Sequence, residues 1–214
     1  MSTMDTFLPH LHATSPAGLS FAPSLAVRSY VLERDAGNLL VYGAATSDDD
    51  AVAIERLGGV TRQYLNHGHE AMFEPIGAPL YVHEADAPAV RERHRVTATF
   101  SDRSMLDADF ELIPTPGHTP GATAFLWDSG EHRCLFTGDT IYLRDGEWVD
   151  GLDVRGSDRD AYVATLELIR ELDFDVLVPW AATASGPAYA MTDAAGTARR
   201  IDAILDRMSR GEAA

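Results

Sequence analysis

Two short glycine-containing stretches decide how this chain folds: PGHTPG at residues 116–121 and FTGDT at residues 136–140. Each follows an apolar run that is typical of a β-strand and is bounded by turn residues. The glycines allow a tight turn and the prolines stiffen it. The pattern therefore predicts that His118 and Asp139 lie just past the ends of two strands.

A third segment of the same kind lies upstream, where the strand-like residues 61–66 lead into His67 and His69. If this HxH segment is extended, its two imidazoles share one side, so a single cation can bind both. His118 and Asp139 could then complete a tetrahedron. Each signal alone is weak, but together they predict a metal site.

Strand and helix patterns alternate along the chain. We predict an antiparallel hairpin from residues 28–33 and 39–43, further strands at 61–66, 79–83, 96–100, 110–115, 123–127, 133–137 and 174–178, and helices at 49–57, 86–93 and 158–172. Ser157 is the predicted N-cap of the helix at 158–172, and Thr192 is the predicted N-cap of a last helix whose inward face carries Ile201, Ile204, Leu205 and Met208. No repeat or long linker interrupts the pattern, so we expect one α/β domain over residues 1–214, with an irregular leader at residues 1–20.

The composition limits the partners. Apolar residues make up 45% of the chain and charged residues 23%, which is typical of a folded globule. The net charge of −16 argues against nucleic acid and anionic membranes. The basic residues are all arginine, which fits either a salt-adapted cytoplasm or a GC-rich genome. We expect a small-molecule substrate and a monomer or homodimer.

The chain has the features of a cytoplasmic protein. Its N-terminus lacks the basic flank and apolar stretch of a secretory signal, and no apolar run reaches the length of a membrane span. Cys134 is the single cysteine, so it cannot form an internal disulfide, and its strand-like surroundings favour a core residue over a nucleophile.

The PGHTPG and FTGDT stretches resemble those of the metallo-β-lactamase superfamily, particularly its glyoxalase II-like branch. The resemblance covers nearly the whole chain and implies a four-layer αββα sandwich. His67 and His69 match the first two histidines of the family's HxHxDH loop. His118 matches the histidine of the family's later GHTPG segment, and Asp139 matches the aspartate that bridges the two metals. These four residues are the implied metal ligands.

Three other family positions are changed. The loop aspartate and last histidine fall on Ala71 and Met72, and the late histidine falls on Ala181. In the family these three serve a second metal, so the resemblance implies a degenerate site with one ion. The family's Asp-Thr-Gly turn is also replaced by VYGA at residues 41–44, and Glu70 is out of register with the lost aspartate.

The leading hypothesis is a hydrolase that binds one divalent ion, and zinc is the ion we expect. Such an ion activates water and polarises a carbonyl, so an ester or thioester could be hydrolysed, with Asp139 as the catalytic residue that orients the metal-bound water. Tyr142, Arg144 and Arg155 follow Asp139 where relatives contact substrate, and an arginine there could bind a carboxylate.

Two alternatives stay open. Two histidines and one carboxylate also suit mononuclear iron, as in the persulfide dioxygenases of this superfamily. The other alternative is a non-catalytic binding or scaffold protein without metal, in which Met72 and Trp180 fill the vacated room. We expect the other histidines to be structural: His83, His94 and His132 at strand ends and turns, and His10 and His12 in the leader, although the leader could fold over the site.

Overall fold

A computed structural model describes residues 4–152 and 156–211. The first strands are β1 (Asp5–Leu8), β2 (Leu11–Ala13), β3 (Ala17–Leu19), β4 (Ala22–Val27), β5 (Tyr30–Leu32), β6 (Leu39–Val41), β7 (Arg62–Tyr64), β8 (Leu80–His83) and β9 (Ala98–Phe100). The later strands are β10 (Ser104–Leu106), β11 (Phe110–Pro114), β12 (Thr123–Asp128), β13 (Arg133–Gly138), β14 (Ile141–Arg144), β15 (Glu147–Asp150), β16 (Val176–Pro179), β17 (Ala181–Thr183) and β18 (Ala190–Met191). The helices are α1 (Asp48–Arg56), α2 (Ala87–Arg91), α3 (Arg159–Arg170) and α4 (Ala194–Ser209), and a 3-10 helix covers Gly68–Met72.

The described strands form three sheets. The first has the order β1-β2-β5-β6-β7-β8-β9, the second β10-β11-β12-β13-β16-β18 and the third β15-β14-β17-β4-β3. The predicted opening hairpin is confirmed with shorter strands: β5 and β6 are antiparallel, with Tyr30 opposite Val41 and Leu32 opposite Leu39. From β6 to β9 the pairing is parallel, and so is that of β13 with β16.

The first two sheets pack face to face and are covered by helices outside. Tyr30 and Leu39 of the first sheet share a buried core with Phe125 and Phe136 of the second. Neighbouring residues on the same strands point the other way, since successive side chains alternate in a strand. Thus Leu40 packs with Ile54 of α1. On the far side, Leu135 packs with Tyr162 and Leu166 of α3 and Ile201 of α4. This order of layers confirms the αββα sandwich.

The predicted irregular leader is wrong for the described residues 4–20, which form β1, β2 and β3. These strands are short and are interrupted by Pro9 and Pro16, so no alternating pattern was long enough to predict them. His12 pairs with β5 and hydrogen-bonds Glu33 at 3.2 Å, and His10 contacts the same carboxylate at 3.5 Å. Neither joins the histidine cluster found among the described residues.

Both predicted late N-caps are off by one residue. Asp158 caps α3 by accepting from the amides of Asp160 and Ala161, and Asp193 caps α4 by accepting from Gly196. Aspartate offers two acceptor oxygens at this position. The Ser157 hydroxyl instead donates to the His118 carbonyl at 3.1 Å, so it fixes the loop that carries a predicted ligand. Among the described helices, none is long and apolar enough to cross a membrane.

Cys134 lies in β13 as the predicted core residue and is fully buried. Burial raises the pKa of its thiol to about 12, with Asp175 and Asp128 adding to the shift. Because the thiolate is the reactive form, we expect no labelling of the native protein by a disulfide reagent at mildly alkaline pH, and full labelling after denaturation. Rapid labelling of the native chain would contradict this prediction.

Candidate metal centre

Three histidines from two loops converge at one edge of the sandwich. His67 and His69 follow β7, and His118 follows β11. One ring nitrogen of each lies within 4.8 Å of the others, and Nδ1 of His69 is 3.2 Å from Nε2 of His118. The sequence argument assumed an extended HxH segment, and the structure corrects it: His67 is extended, but a 3-10 helix begins at Gly68. The rings converge through this turn.

The cluster has the dimensions of a metal site. With zinc–nitrogen bonds of about 2.0–2.1 Å, two ligands of a tetrahedron are roughly 3.3 Å apart, close to the distance between His69 and His118. Nε2 of His67 is buried and forms no hydrogen bond with any described residue. A buried nitrogen without a partner is costly unless something binds it. These residues therefore fit a divalent ion.

Hydrogen bonds select the ring nitrogen that each buried histidine offers. Nδ1 of His118 donates to the carbonyl of Gly151 at 2.7 Å, and Nδ1 of His67 lies 3.1 Å from Oδ1 of Asn66. In both rings this leaves the Nε2 lone pair directed at the cluster. Partners of this kind fix the tautomer and orientation of metal-binding histidines.

The three rings are poor bases. Burial is the main cause that lowers the pKa of His67, which falls to about 3 although Asp139 opposes the shift. Burial also lowers the pKa values of His69 and His118. At neutral pH the rings are uncharged, which is the form that binds metals.

Asp139 lies beside the histidines, directly after β13. Its Oδ2 is 3.5 Å from Nε2 of His67 and 3.7 Å from Nε2 of His118. Burial raises the pKa of its carboxyl, whereas His67 lowers it. The carboxylate is 22% exposed, so it lies between the histidine cluster and solvent.

Glu70 is a site residue that the sequence interpretation set aside. It is fully buried beneath His67. Its Oε2 accepts from the amide of Gly43 at 2.7 Å, and its Oε1 accepts from the amides of Asn66 and His67 at 2.9 and 3.3 Å. Burial raises the pKa of this carboxyl well above its usual range, and the three amides oppose the shift.

Tyr42 supports the site within the changed turn at residues 41–44. Its hydroxyl donates to the carbonyl of Val178 at 2.7 Å and accepts from the amide of Gly138 at 2.8 Å. Gly138 directly precedes Asp139, so the phenol fixes the aspartate's strand end to β16. Tyr42 has a φ of 73°, a strained value for a tyrosine, and such strain persists where surrounding contacts hold it.

A pocket opens beside this cluster. It has a volume of about 230 Å³, and His118 and Asp139 lie in its wall. Tyr142 and Arg144 also line it, and the Arg144 guanidinium donates to the Tyr142 hydroxyl. Leu19, Phe21 and Leu25 form an apolar side. The predicted substrate residue Arg155 lies outside the described residues.

A family model for the metallo-β-lactamase superfamily matches residues 48–181, a span that includes all four of these ligand-type residues. The chain belongs to this superfamily. None of the curated proteins is significantly similar to it.

Several solved structures share the fold of this chain at low sequence identity. A metallo-β-lactamase with an HARLDQ motif from Cronobacter sakazakii is 15% identical, with a TM-score of 0.64 over 98% of this chain and 97% of that one. A superfamily protein from the archaeon Sulfolobus tokodaii is 17% identical, with a TM-score of 0.62 over 93% and 86%. AidC, a dizinc quorum-quenching lactonase, is 14% identical, with a TM-score of 0.55 over 79% and 76%.

Three positions were assigned to a second metal from the sequence motifs alone, and their side chains, Ala71, Met72 and Ala181, offer neither nitrogen nor carboxylate. Ala71 and Ala181 are buried, whereas Met72 is 42% exposed, so the expectation that Met72 fills the vacated room is wrong. Trp180 does pack edge-on against His67 at 5.2 Å between ring centroids, and its Nε1 donates to the carbonyl of Gly43.

The remaining histidines have structural partners. His83 contacts the carbonyl of Ser101 at 3.1 Å and accepts from the amide of Ala85. His94 lies 2.7 Å from the carbonyl of Ala71, and His132 pairs with Asp175 at 2.8 Å. These contacts agree with the structural roles predicted for all three.

Proposed function

We propose that the chain binds one divalent metal ion through His67, His69 and His118, and that it hydrolyses an ester or thioester at this site. The observation that carries the proposal is the convergence of three neutral histidines, one with an unpartnered buried nitrogen, beside an open pocket. Zinc is the preferred ion, because three imidazoles and one open position are typical of catalytic zinc sites. We place the chain in the glyoxalase II-like branch on its sequence motifs.

When bound, a divalent ion supplies Lewis acidity, which polarises a carbonyl and lowers the pKa of water toward about 7. The chain supplies the rest. Asp139 is close enough to the cluster to orient water and to hold the proton that it releases, since its Oδ2 faces both His67 and His118. Ala71 and Ala181 offer no further ligands, which supports a degenerate site with one ion.

The pocket favours a substrate with an apolar acyl part. Leu19, Phe21 and Leu25 would pack against that part, and burial of such groups contributes about 25 cal/mol per Å². Tyr142 and Arg144 would bind a polar or carboxylate end. AidC acts on lactones and binds two zinc ions. Lactones are cyclic esters, so they belong in the first substrate screen beside thioesters and open-chain esters.

Elemental analysis of the purified, untagged chain tests the proposal. We expect one zinc per chain, and we expect His118→Ala to lose it on dialysis because one of three ligands is gone. His10→Ala is the matched control, since that half-exposed ring contacts Glu33 and should leave the metal content unchanged.

Three results would contradict the proposal. Two ions per chain would contradict the single-metal site. No metal after incubation with zinc would favour the scaffold alternative. Iron that resists replacement by zinc would favour oxygen chemistry over hydrolysis.

A further inference from the structure

Asp86 is a buried carboxylate that does not perform the task its position suggests. It occupies the N-cap position of α2, where aspartate normally accepts from the helix's first amides, yet its side chain makes no capping hydrogen bond. It is 5% exposed. A buried carboxylate needs donors, so its partners show what it does.

Those partners belong to both loops that carry the histidines. Oδ2 accepts from the amide of Gly68 at 2.8 Å and from the Thr119 hydroxyl at 2.6 Å, and Oδ1 accepts from the amide of Gly121 at 2.8 Å. Gly68 lies between His67 and His69, and Thr119 follows His118. Through Gly68 and Thr119 the carboxylate therefore connects the two loops one residue away from each histidine, and Gly121 adds a third contact three residues after His118.

The second loop is shaped to receive this carboxylate. A Cβ on Gly121 would lie 2.7 Å from Cγ of Asp86 and 2.8 Å from its backbone nitrogen. Real Cβ atoms do not approach other atoms so closely, so a side chain at position 121 would push Asp86 away. Gly121 of the PGHTPG stretch thus leaves room for the Asp86 carboxylate, in addition to allowing the turn.

We infer that Asp86 is a positioning residue that holds the two loops together and thereby sets the separation of His69 and His118. The inference rests on the proposed metal site. Loss of the carboxylate would let the loops separate, and the three nitrogens would no longer meet at bonding distance from one ion. Partners of this kind change metal affinity by about 10–100-fold when they are removed.

Asp86→Asn tests the inference. The variant keeps the size of the side chain but turns one oxygen into an NH₂ group, which cannot accept from a backbone amide. We expect zinc affinity, measured by competition with a chelator, to fall about 10–100-fold. We also expect a changed visible spectrum of the cobalt(II) form, which reports ligand geometry, and faster hydrogen exchange of the Gly68 and Gly121 amides in the metal-free protein.

Asp50→Asn is the matched control. Asp50 is 4% exposed and joins two segments in the same manner, by accepting from Ser15 and Ser47. Both variants should lose thermal stability, but only Asp86→Asn should change zinc affinity and the cobalt spectrum. The Thr119 hydroxyl, which donates to Asp86, gives a second test. Thr119→Val should weaken zinc binding, whereas Thr119→Ser, which keeps the hydroxyl, should bind zinc as the wild type does.

Two results would overturn the inference: an Asp86→Asn variant with wild-type zinc affinity and cobalt spectrum, or a loss of affinity that Asp50→Asn reproduces. If the wild-type chain binds no zinc, the proposed function fails. Hydrogen exchange in the metal-free protein then tests only whether Asp86 holds the two loops together. Unchanged exchange rates of the Gly68 and Gly121 amides in Asp86→Asn would overturn that part of the inference.

Discussion

Gly138→Ala is expected to destabilise the protein by about 4 kcal/mol or more, enough to leave little folded protein in a domain of ordinary stability. Gly138 has a φ of 57°. A Cβ there would lie 1.8 Å from Oδ1 and 2.1 Å from Cγ of the Asn66 side chain. Two costs therefore add: the left-handed backbone costs a non-glycine residue about 1–2 kcal/mol, and the overlap forces Asn66 to move.

Moving the Asn66 side chain costs free energy, because it is fully buried and both its Nδ2 and its Oδ1 have polar partners. Its Nδ2 donates to the carbonyl of Thr123, and its Oδ1 lies 3.1 Å from Nδ1 of His67. Displacement would leave buried polar groups unsatisfied, at about 1–3 kcal/mol each. It would also release the His67 ring, so any folded Gly138→Ala protein should bind zinc poorly.

Urea denaturation measures the loss of stability in Gly138→Ala, and Gly146→Ala is the matched control. Gly146 also has a positive φ, 86°, but a Cβ there would meet nothing within 4 Å. That variant should show only the backbone cost of about 1–2 kcal/mol. Adding Asn66→Ala to Gly138→Ala should recover part of the stability without recovering zinc binding. Equal losses in the two glycine variants would show that the overlap does not matter.

The strand ends that carry the ligands could be predicted because their signals are local. An apolar run, a glycine-containing turn and a ligand-type residue are adjacent in sequence at His118 and at Asp139. By contrast, the contacts of Glu70 and Asp86 join segments that lie far apart along the chain: Glu70 reaches Gly43, and Asp86 reaches Gly121. Neither contact leaves a periodic pattern.

The changed turn at residues 41–44 shows a second limit of the sequence. The family's Asp-Thr-Gly turn is replaced here by VYGA, and the sequence alone did not indicate which groups support the site in its place. In the structure the support comes from other groups: the Tyr42 hydroxyl holds Gly138, and the Glu70 carboxylate holds the amide of Gly43. Glu70 was set aside because its position in the motif did not match, but burial and donor geometry determine its role.

Glu70→Gln is the second change expected to have a large effect, a loss of about 2–4 kcal/mol in the free energy of unfolding of the metal-free protein. The three amides that contact Glu70, those of Gly43, Asn66 and His67, can only donate. Glutamine offers one accepting oxygen and one NH₂ group, so at least one buried amide must face a donor. A buried amide left without an acceptor costs about 1–3 kcal/mol, and more where its partner is ionised, which is the form that three donated hydrogen bonds favour.

The same substitution should weaken zinc binding about 10–100-fold, because Oε1 of Glu70 also lies 3.1 Å from Nδ1 of His67 and helps to keep the proton there. Glu74→Gln is the matched control: it makes the same chemical change a few residues away on a carboxylate that is 92% exposed, and should cost less than about 0.5 kcal/mol. Urea denaturation and zinc competition measure the two effects separately. If Glu70→Gln lost stability but kept wild-type zinc affinity, the carboxylate would support the turn at Gly43 without orienting His67. If it kept both, the role assigned to this buried carboxylate would be wrong.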